Sequence, residues 1–187
     1  ILAEAKRLVA HGYREIVLTG IHLGNYGVEL PEKTTLADVV KALLTIPELQ
    51  RIRLGSIESV EVSDELINLM ATEPRFCSHL HLPLQAGSDH ILKLMNKPPI
   101  DVYEDFARRY EEISKGHKKN QYLVHYFISA HPGSTLKDAY ETSQFLKKRK
   151  IHPEQIQDFI PLPLTASGCM YYTEKHPFTG ERLYVAK

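Results

Sequence analysis

Five short stretches hold the residues best able to do chemistry: Thr19–Gly27 (TGIHLGNYG), Gly55–Ser59 (GSIES), Leu84–Ser88 (LQAGS), Ser129–Thr135 (SAHPGST) and Asp158–Pro163 (DFIPLP). Each follows an apolar run of strand character. In a parallel α/β protein all five would therefore lie along one edge, at the carboxyl ends of the strands, where the backbone opens towards a ligand. Ser56, Glu58, Gln85, Ser129 and His131 would converge there. Gln85 supplies amide donors and acceptors, Gly87 permits an unusual backbone, and Ser88 can cap the following helix. Any one of these turns alone reads as an ordinary strand-to-helix connection. Their recurrence is what points to a site.

Other constellations offer different chemistry. His79 and His81 are two apart on a strand and share a face; with His125 and His131 they could hold zinc. No carboxylate accompanies the pair, and hydrogen-bonded residues of a barrel interior give the same pattern. HPGST at a helix start could cradle phosphate, although most such turns are caps. Cys77 opens its strand, away from the polar edge, and reads as structural. The run Lys147–Lys150 suits a helix C-terminus better than a nucleic-acid patch.

The elements that must position these residues follow from periodicity. Helical spacing of apolar residues starts at Leu2 and stops at Gly12; further helices follow Thr34 or Thr35, Ser63 and Ser88. A longer helix runs from about Val102 to Ser114, and another from the HPGST turn to about Lys150. The lysine-rich turn Lys115–Lys119 reads as a solvated loop. Strands are expected at Glu15–Thr19, Arg51–Ile57, Phe76–Leu84, Tyr122–Ser129 and Gln157–Ile160. This alternation predicts one parallel sheet with right-handed crossovers. Five strands are too few to close an eight-stranded barrel, so the expected fold is α/β, an open partial (β/α) TIM-type barrel. It would occupy residues 1–165, followed by an irregular extension over 166–187.

Composition narrows the classes. Formal net charge is zero, which gives no signature of a stand-alone nucleic-acid binder. No run approaches the roughly 20 apolar residues that span a bilayer, so no membrane partner is expected. Two cysteines, Cys77 and Cys169, provide neither a disulfide framework nor a four-cysteine zinc site, and a reducing cytoplasm fits. Ile1 already lies inside a helical pattern, as expected of a piece of a longer protein.

Three stretches, EAKRLVAHGYREIVLTGIHLGNYG, RIRLGSIES and PRFCSHLHLPLQAGSDHILKLM, resemble radical S-adenosylmethionine (radical SAM) methylthiotransferases. The most similar subgroup modifies threonylcarbamoyl-adenosine in tRNA. That resemblance covers about residues 1–96. MNKPP, KKNQYLVHYFISAHPGST, IQDFIPLPLTASGCMYYT and PFTGERLYVAK instead resemble the YgiQ-type radical SAM proteins, with the changeover between about Ser88 and Pro99. The resemblance implies a radical SAM core without its first strand and cluster loop, S-adenosylmethionine as cofactor, a 4Fe-4S cluster in the full-length enzyme, and tRNA as partner. Reductive cleavage of the sulfonium would give a deoxyadenosyl radical that abstracts hydrogen from the substrate. The superfamily's CxxxCxxC loop is not among these residues, and two cysteines cannot replace it. The chain by itself is thus expected to be inactive, with no catalytic and no metal-binding residue.

Position by position, the resemblance implies a cofactor shelf. Gly20 and Ile21 would present backbone to the methionyl amine, Ser56 and Glu58 polar groups, and Gln85 a ribose contact. Phe159 and Ile160 would hold the adenine edge, and Lys97 would meet the methionyl carboxylate. Ala86 and Ser59 stand where serine and proline are frequent in the family. Two rivals remain open: a YgiQ-type protein of unknown substrate, and a non-catalytic βα scaffold.

Overall fold

The structure, a computed structural model, describes residues 1–117 and 119–186. The chain divides into two compact units, Ile1–Pro83 with Glu104–Val124, and Leu84–Tyr103 with His125–Lys187. Its elements alternate as α1 (Leu2–Ala10), β1 (Glu15–Leu18), α2 (Leu36–Leu44), β2 (Arg51–Leu54), α3 (Asp64–Thr72), β3 (His79–Gln85), α4 (Asp89–Leu94), α5 (Ile100–Lys115), β4 (Tyr122–Ser129), α6 (Leu136–Arg149), β5 (Gln155–Asp158) and α7 (Ala166–Thr173). Short 3-10 turns lie at Leu23–Asn25 and Ser59–Glu61. This is the expected open α/β arrangement, with parallel strands and no closed barrel.

In the first unit, β1 and β2 run parallel, from Glu15 opposite Arg51 to Leu18 opposite Leu54. The two-residue period sorts their side chains: Ile52 and Leu54 are buried, while Arg51 and Arg53 stand on the other face. Val40, Leu43, Ile67 and Met70 are fully buried and complete that core. Thr35 starts α2 through a reciprocal capping box with Asp38. Ser63 caps α3 by accepting the Leu66 N–H. The other end of α3 is closed from far along the chain. Lys119 Nζ donates to Met70 O at 2.7 Å, to Glu73 O at 2.9 Å and to Phe76 O. Lys119 is therefore not solvated as the turn Lys115–Lys119 suggested, because the unsatisfied carbonyls of a helix end are a ready cation site; Lys118 lies outside the described residues.

In the second unit, β4 pairs with β5 from Tyr126 opposite Gln155 to Ser129 opposite Asp158. Ala86, Ile91 and Leu92 are buried against Leu94, Met95 and Ile100. Thr135 and Asp138 form a second capping box, and α6 ends at Lys150 in the left-handed conformation.

Three further expectations need correction. The strands form two hydrogen-bonded sheets, β1-β2 and β3-β4-β5, rather than one. The two come together in the first unit through the parallel bridge of Ile52 with Phe76 and the bond from Ile57 N–H to His81 O. β5 begins two residues earlier than Gln157, because Tyr126 takes Gln155 as its partner; Pro161 and Pro163 lie beyond its end. Residues 166–187 are not irregular throughout: they include α7 and an antiparallel bridge between Lys175 and Arg182. Among the described residues no helix is long and apolar enough to cross a membrane.

Candidate functional site at the strand ends

The first unit presents one polar edge. Gly55 N–H donates to Leu18 O at 2.7 Å, so the two strands stay paired as they end and Gly20 and Ser56 leave from adjacent strands. Gly20, Ile21 and Ser56 are exposed, Ile21 almost completely; Glu58 is half-buried at the start of the 3-10 turn Ser59–Glu61. Beyond them the loop is pinned by Glu61, a residue the sequence did not single out. Its carboxylate accepts from His22 Nδ1 at 3.1 Å and from Gly24 N–H at 3.2 Å. Gly24 is required by space, since a Cβ there would lie 2.2 Å from Glu61 Cβ. The loop roofs a cavity of ≈ 380 Å³ whose walls include Tyr26, Lys33, Leu36, Glu61 and Leu66.

On the open face of the same unit, Glu15 accepts from Arg51 Nη1 and Arg53 Nε, each at 2.9 Å, and these bonds hold its carboxyl below the usual range. Arg53 Nη1 lies 2.7 Å from His79 Nε2. A guanidinium only donates, so Nε2 accepts and the proton sits on Nδ1. Burial first, then Arg53 and His81, push the His79 pKa down. The zinc reading fails here. A cation occupies the lone pair that a metal would need, while His125 Nε2 meets the Tyr103 hydroxyl at 2.6 Å and His131 bonds Pro132 O and Ser167. Among the described residues no group of three or more His, Cys, Asp or Glu could hold a metal ion.

The second unit presents the other edge. Gln85 closes β3 at φ 70°, and Ala86 N–H donates back to Leu84 O at 2.9 Å, a three-residue turn centred on Gln85. Such turns at positive φ are rare and strained for any residue with a Cβ. Ala130, just past β4, also sits at positive φ, 56°. Phe159 donates its N–H to Ser129 O at 2.8 Å and sets its ring edge-on to His131 at 5.1 Å; Ile160 is exposed. Lys97 is not at a strand end: it follows α4, with its N–H bonded to Leu92 O at 2.8 Å.

Two roles assigned from sequence change. Gly87 is not the residue with the unusual backbone; that is Gln85. Gly87 is needed because a Cβ would lie 3.0 Å from Phe145 Cδ1 and from Thr142 Cα. Ser88 stands at the N-cap of α4 without capping it, since its hydroxyl donates to Asp138 at 2.7 Å. Asp138 is buried and also accepts from His90 Nδ1 at 3.0 Å, from Thr135 N–H at 2.8 Å and from the Thr135 hydroxyl at 2.6 Å. Burial pushes this carboxyl up, but the hydrogen bonds from Thr135, Ser88 and His90 outweigh it and hold it at about 2. The phosphate-cradle reading of HPGST falls with the same bonds. Gly133 N–H is taken by Tyr184 O, Ser134 N–H by His131 O and Thr135 N–H by Asp138.

Comparison with known proteins supplies the context. No family model matches the chain. A UPF0313 protein of Methanocella arvoryzae is 34% identical over 158 residues, covering 83% of this chain and 26% of the relative. One from Methanosarcina acetivorans is 35% identical over 164 residues, covering 81% and 21%. A UPF0313 protein of Clostridium botulinum is 50% identical over 100 residues, covering 54% and 16%. The chain thus spans about a quarter or less of the length of these relatives. Among solved structures, native anSMEcpe with bound AdoMet and a Kp18Cys peptide superposes with a TM-score of 0.56 at 12% identity, over 96% of this chain and 45% of that one. The chain has a radical SAM-type fold. By sequence it belongs to the UPF0313 family.

The iron-sulfur cluster expected of the superfamily does not fit the residues present. Cys77 and Cys169 are the chain's two cysteines, fewer thiolates than such a cluster needs, and burial pushes the Cys77 thiol up, away from the thiolate a ligand must be.

Proposed function

We propose that the second unit's strand ends hold the adenosine half of S-adenosylmethionine, and that the chain is the central barrel portion of a radical SAM enzyme of the tRNA methylthiotransferase type. The free thiols suit a reducing cytoplasm, and tRNA is the macromolecular substrate in this reading. The supporting observation is the strained turn at Gln85. A side chain that offers both donors and an acceptor is held at positive φ at the end of a strand, in a fold whose counterpart in anSMEcpe carries AdoMet. Gln85 would exchange hydrogen bonds with the ribose hydroxyls, Ile160 would cover the adenine face, and Lys97 is the cation proposed for the carboxylate. In the first unit, Gly20 and Ile21 keep the backbone role, and Ser56 and Glu58 the polar role, that the resemblance implies.

Two or three hydrogen bonds worth about 1 kcal/mol each, set against the cost of association, leave an affinity around millimolar. The test is an NMR titration with S-adenosylhomocysteine. Amide shifts are expected at residues 84–86 and 159–160. Gln85→Gly, which removes the amide without straining the backbone, should weaken binding about fivefold, and Cys77→Ala should leave it unchanged. Shifts confined to other residues, or full affinity in Gln85→Gly, would reject the assignment.

A further inference from the structure

His131 and Ser167 form a second arrangement, independent of the cofactor reading. His131 is 3% exposed, and both ring nitrogens are engaged: Nδ1 lies 2.8 Å from Pro132 O and Nε2 lies 2.8 Å from Ser167 Oγ. A carbonyl oxygen can only accept, so Nδ1 carries the proton. The ring's burial favours its neutral form. Nε2 is then a bare lone pair, and the only proton available to the contact is that of the Ser167 hydroxyl. Elimination thus fixes the direction of the bond: serine donates to imidazole, and imidazole is oriented from behind by an oxygen. This tautomer and polarity are what an activated serine requires.

The surroundings add two further parts. Ser167 is half-buried, in the first turn of α7, which Thr165 caps by accepting Gly168 N–H at 3.0 Å. Ala166 and Ser167 open the helix, so their N–H groups have no acceptor within it and point towards the positive end of its dipole. The approach to α7 carries exposed apolar side chains: Leu162, Leu164 and, from α7 itself, Tyr172. Gly168 keeps this approach close, because a Cβ there would lie 2.3 Å from Leu162 O.

We propose that Ser167 and His131 are a nucleophile and general base that hydrolyse small apolar carboxylic esters. Ser167 Oγ bonds to the ester carbonyl carbon as its proton passes to His131 Nε2. The carbon–alkoxide bond breaks, the alcohol leaves with that proton, and the acyl group stays on Ser167. Water then attacks the acyl carbon as its proton passes to His131 Nε2; the bond from that carbon to Ser167 Oγ breaks, Oγ takes the proton back from Nε2, and the carboxylic acid leaves. No oxidant, reductant or metal is needed. The N–H groups of Ala166 and Ser167 are the donors for the transient oxyanion.

The test uses p-nitrophenyl acetate and, separately, a fluorophosphonate probe on the full chain, with adducts located by peptide mass spectrometry. The expected result is a burst of about one equivalent of p-nitrophenolate and an adduct on the Ser167 peptide. Both should vanish in Ser167→Ala with circular dichroism unchanged, and both should persist in Cys169→Ala, which removes the exposed thiol nearby in sequence. His131→Gln should slow acylation by about 10²-fold or more. An unreactive wild-type chain, adducts only on Cys169 or lysines, or an undiminished burst in Ser167→Ala would each overturn the proposal.

Discussion

Replacing Asp138 by Asn should cost the second unit a defined amount of stability that disappears in acid. The wild-type carboxylate sits at about 2 against an ordinary 3.8, and its side chain is only 7% exposed, so solvent screening removes little of the effect. That difference converts to about 2 kcal/mol of folding free energy at neutral pH. Because the folded-state pKa is depressed, the contribution is complete above pH 4 and is lost as the pH falls through 2. Asn keeps one oxygen for Ser88 but turns an NH₂ towards the Thr135 N–H and hydroxyl, which have donors of their own to place. Urea titrations of wild type and Asp138→Asn, followed through amide exchange of α6, should show a gap of about 2 kcal/mol at pH 7 that closes between pH 4 and pH 2. A gap that is independent of pH over that range, or one smaller than about 0.5 kcal/mol at pH 7, would refute the assignment of Asp138 as a charged hub.

Other perturbations have similarly specific outcomes. Gly87→Ala should destabilise by about 1–3 kcal/mol, read as a lower thermal midpoint, because its Cβ would press on the α6 backbone at Thr142 as well as on Phe145. Lys119→Met should cost about 1–3 kcal/mol and raise hydrogen exchange selectively at the C-terminal turn of α3. Anaerobic reconstitution of the chain with iron and sulfide should give no stable four-iron chromophore. About four irons per chain with the matching absorbance would contradict the cysteine argument.

The helices were legible because their signals are local. Thr35, Ser63 and Thr135 each precede an amphipathic run and cap it, as a reading of nearest neighbours expects. The strand-end turns could also be read, since an apolar run that breaks into glycine and polar residues needs no tertiary information. What escaped the sequence is long-range. Ser88 carries the signature of a cap, yet its hydroxyl serves Asp138, fifty residues away. Lys119 belongs to a run that looks solvated, and only the fold brings it to the end of α3. The choice of Gly87 over Gln85 as the residue of unusual backbone followed intrinsic preference, and the turn at the end of β3 overrides that preference. His79 and His81 share a face as their spacing requires, but the sequence did not reveal that Arg53 from β2 fills the position where a metal would sit.

The division of the chain carries a consequence for synthesis and turnover. Each unit is assembled from two separated stretches: Leu84–Tyr103 interrupts the first, and Glu104–Val124 interrupts the second. A ribosome adding 5–20 residues per second must make roughly 40 residues after Pro83 before the first unit has all of its parts, a delay of roughly 2–8 s. During that interval the carbonyls of α3 that Lys119 will close remain open to water or to a chaperone. The same connectivity acts in reverse on the mature protein. A single protease nick between residues 85 and 123 severs the covalent continuity of both units at once, whereas a nick after Val124 spares the first.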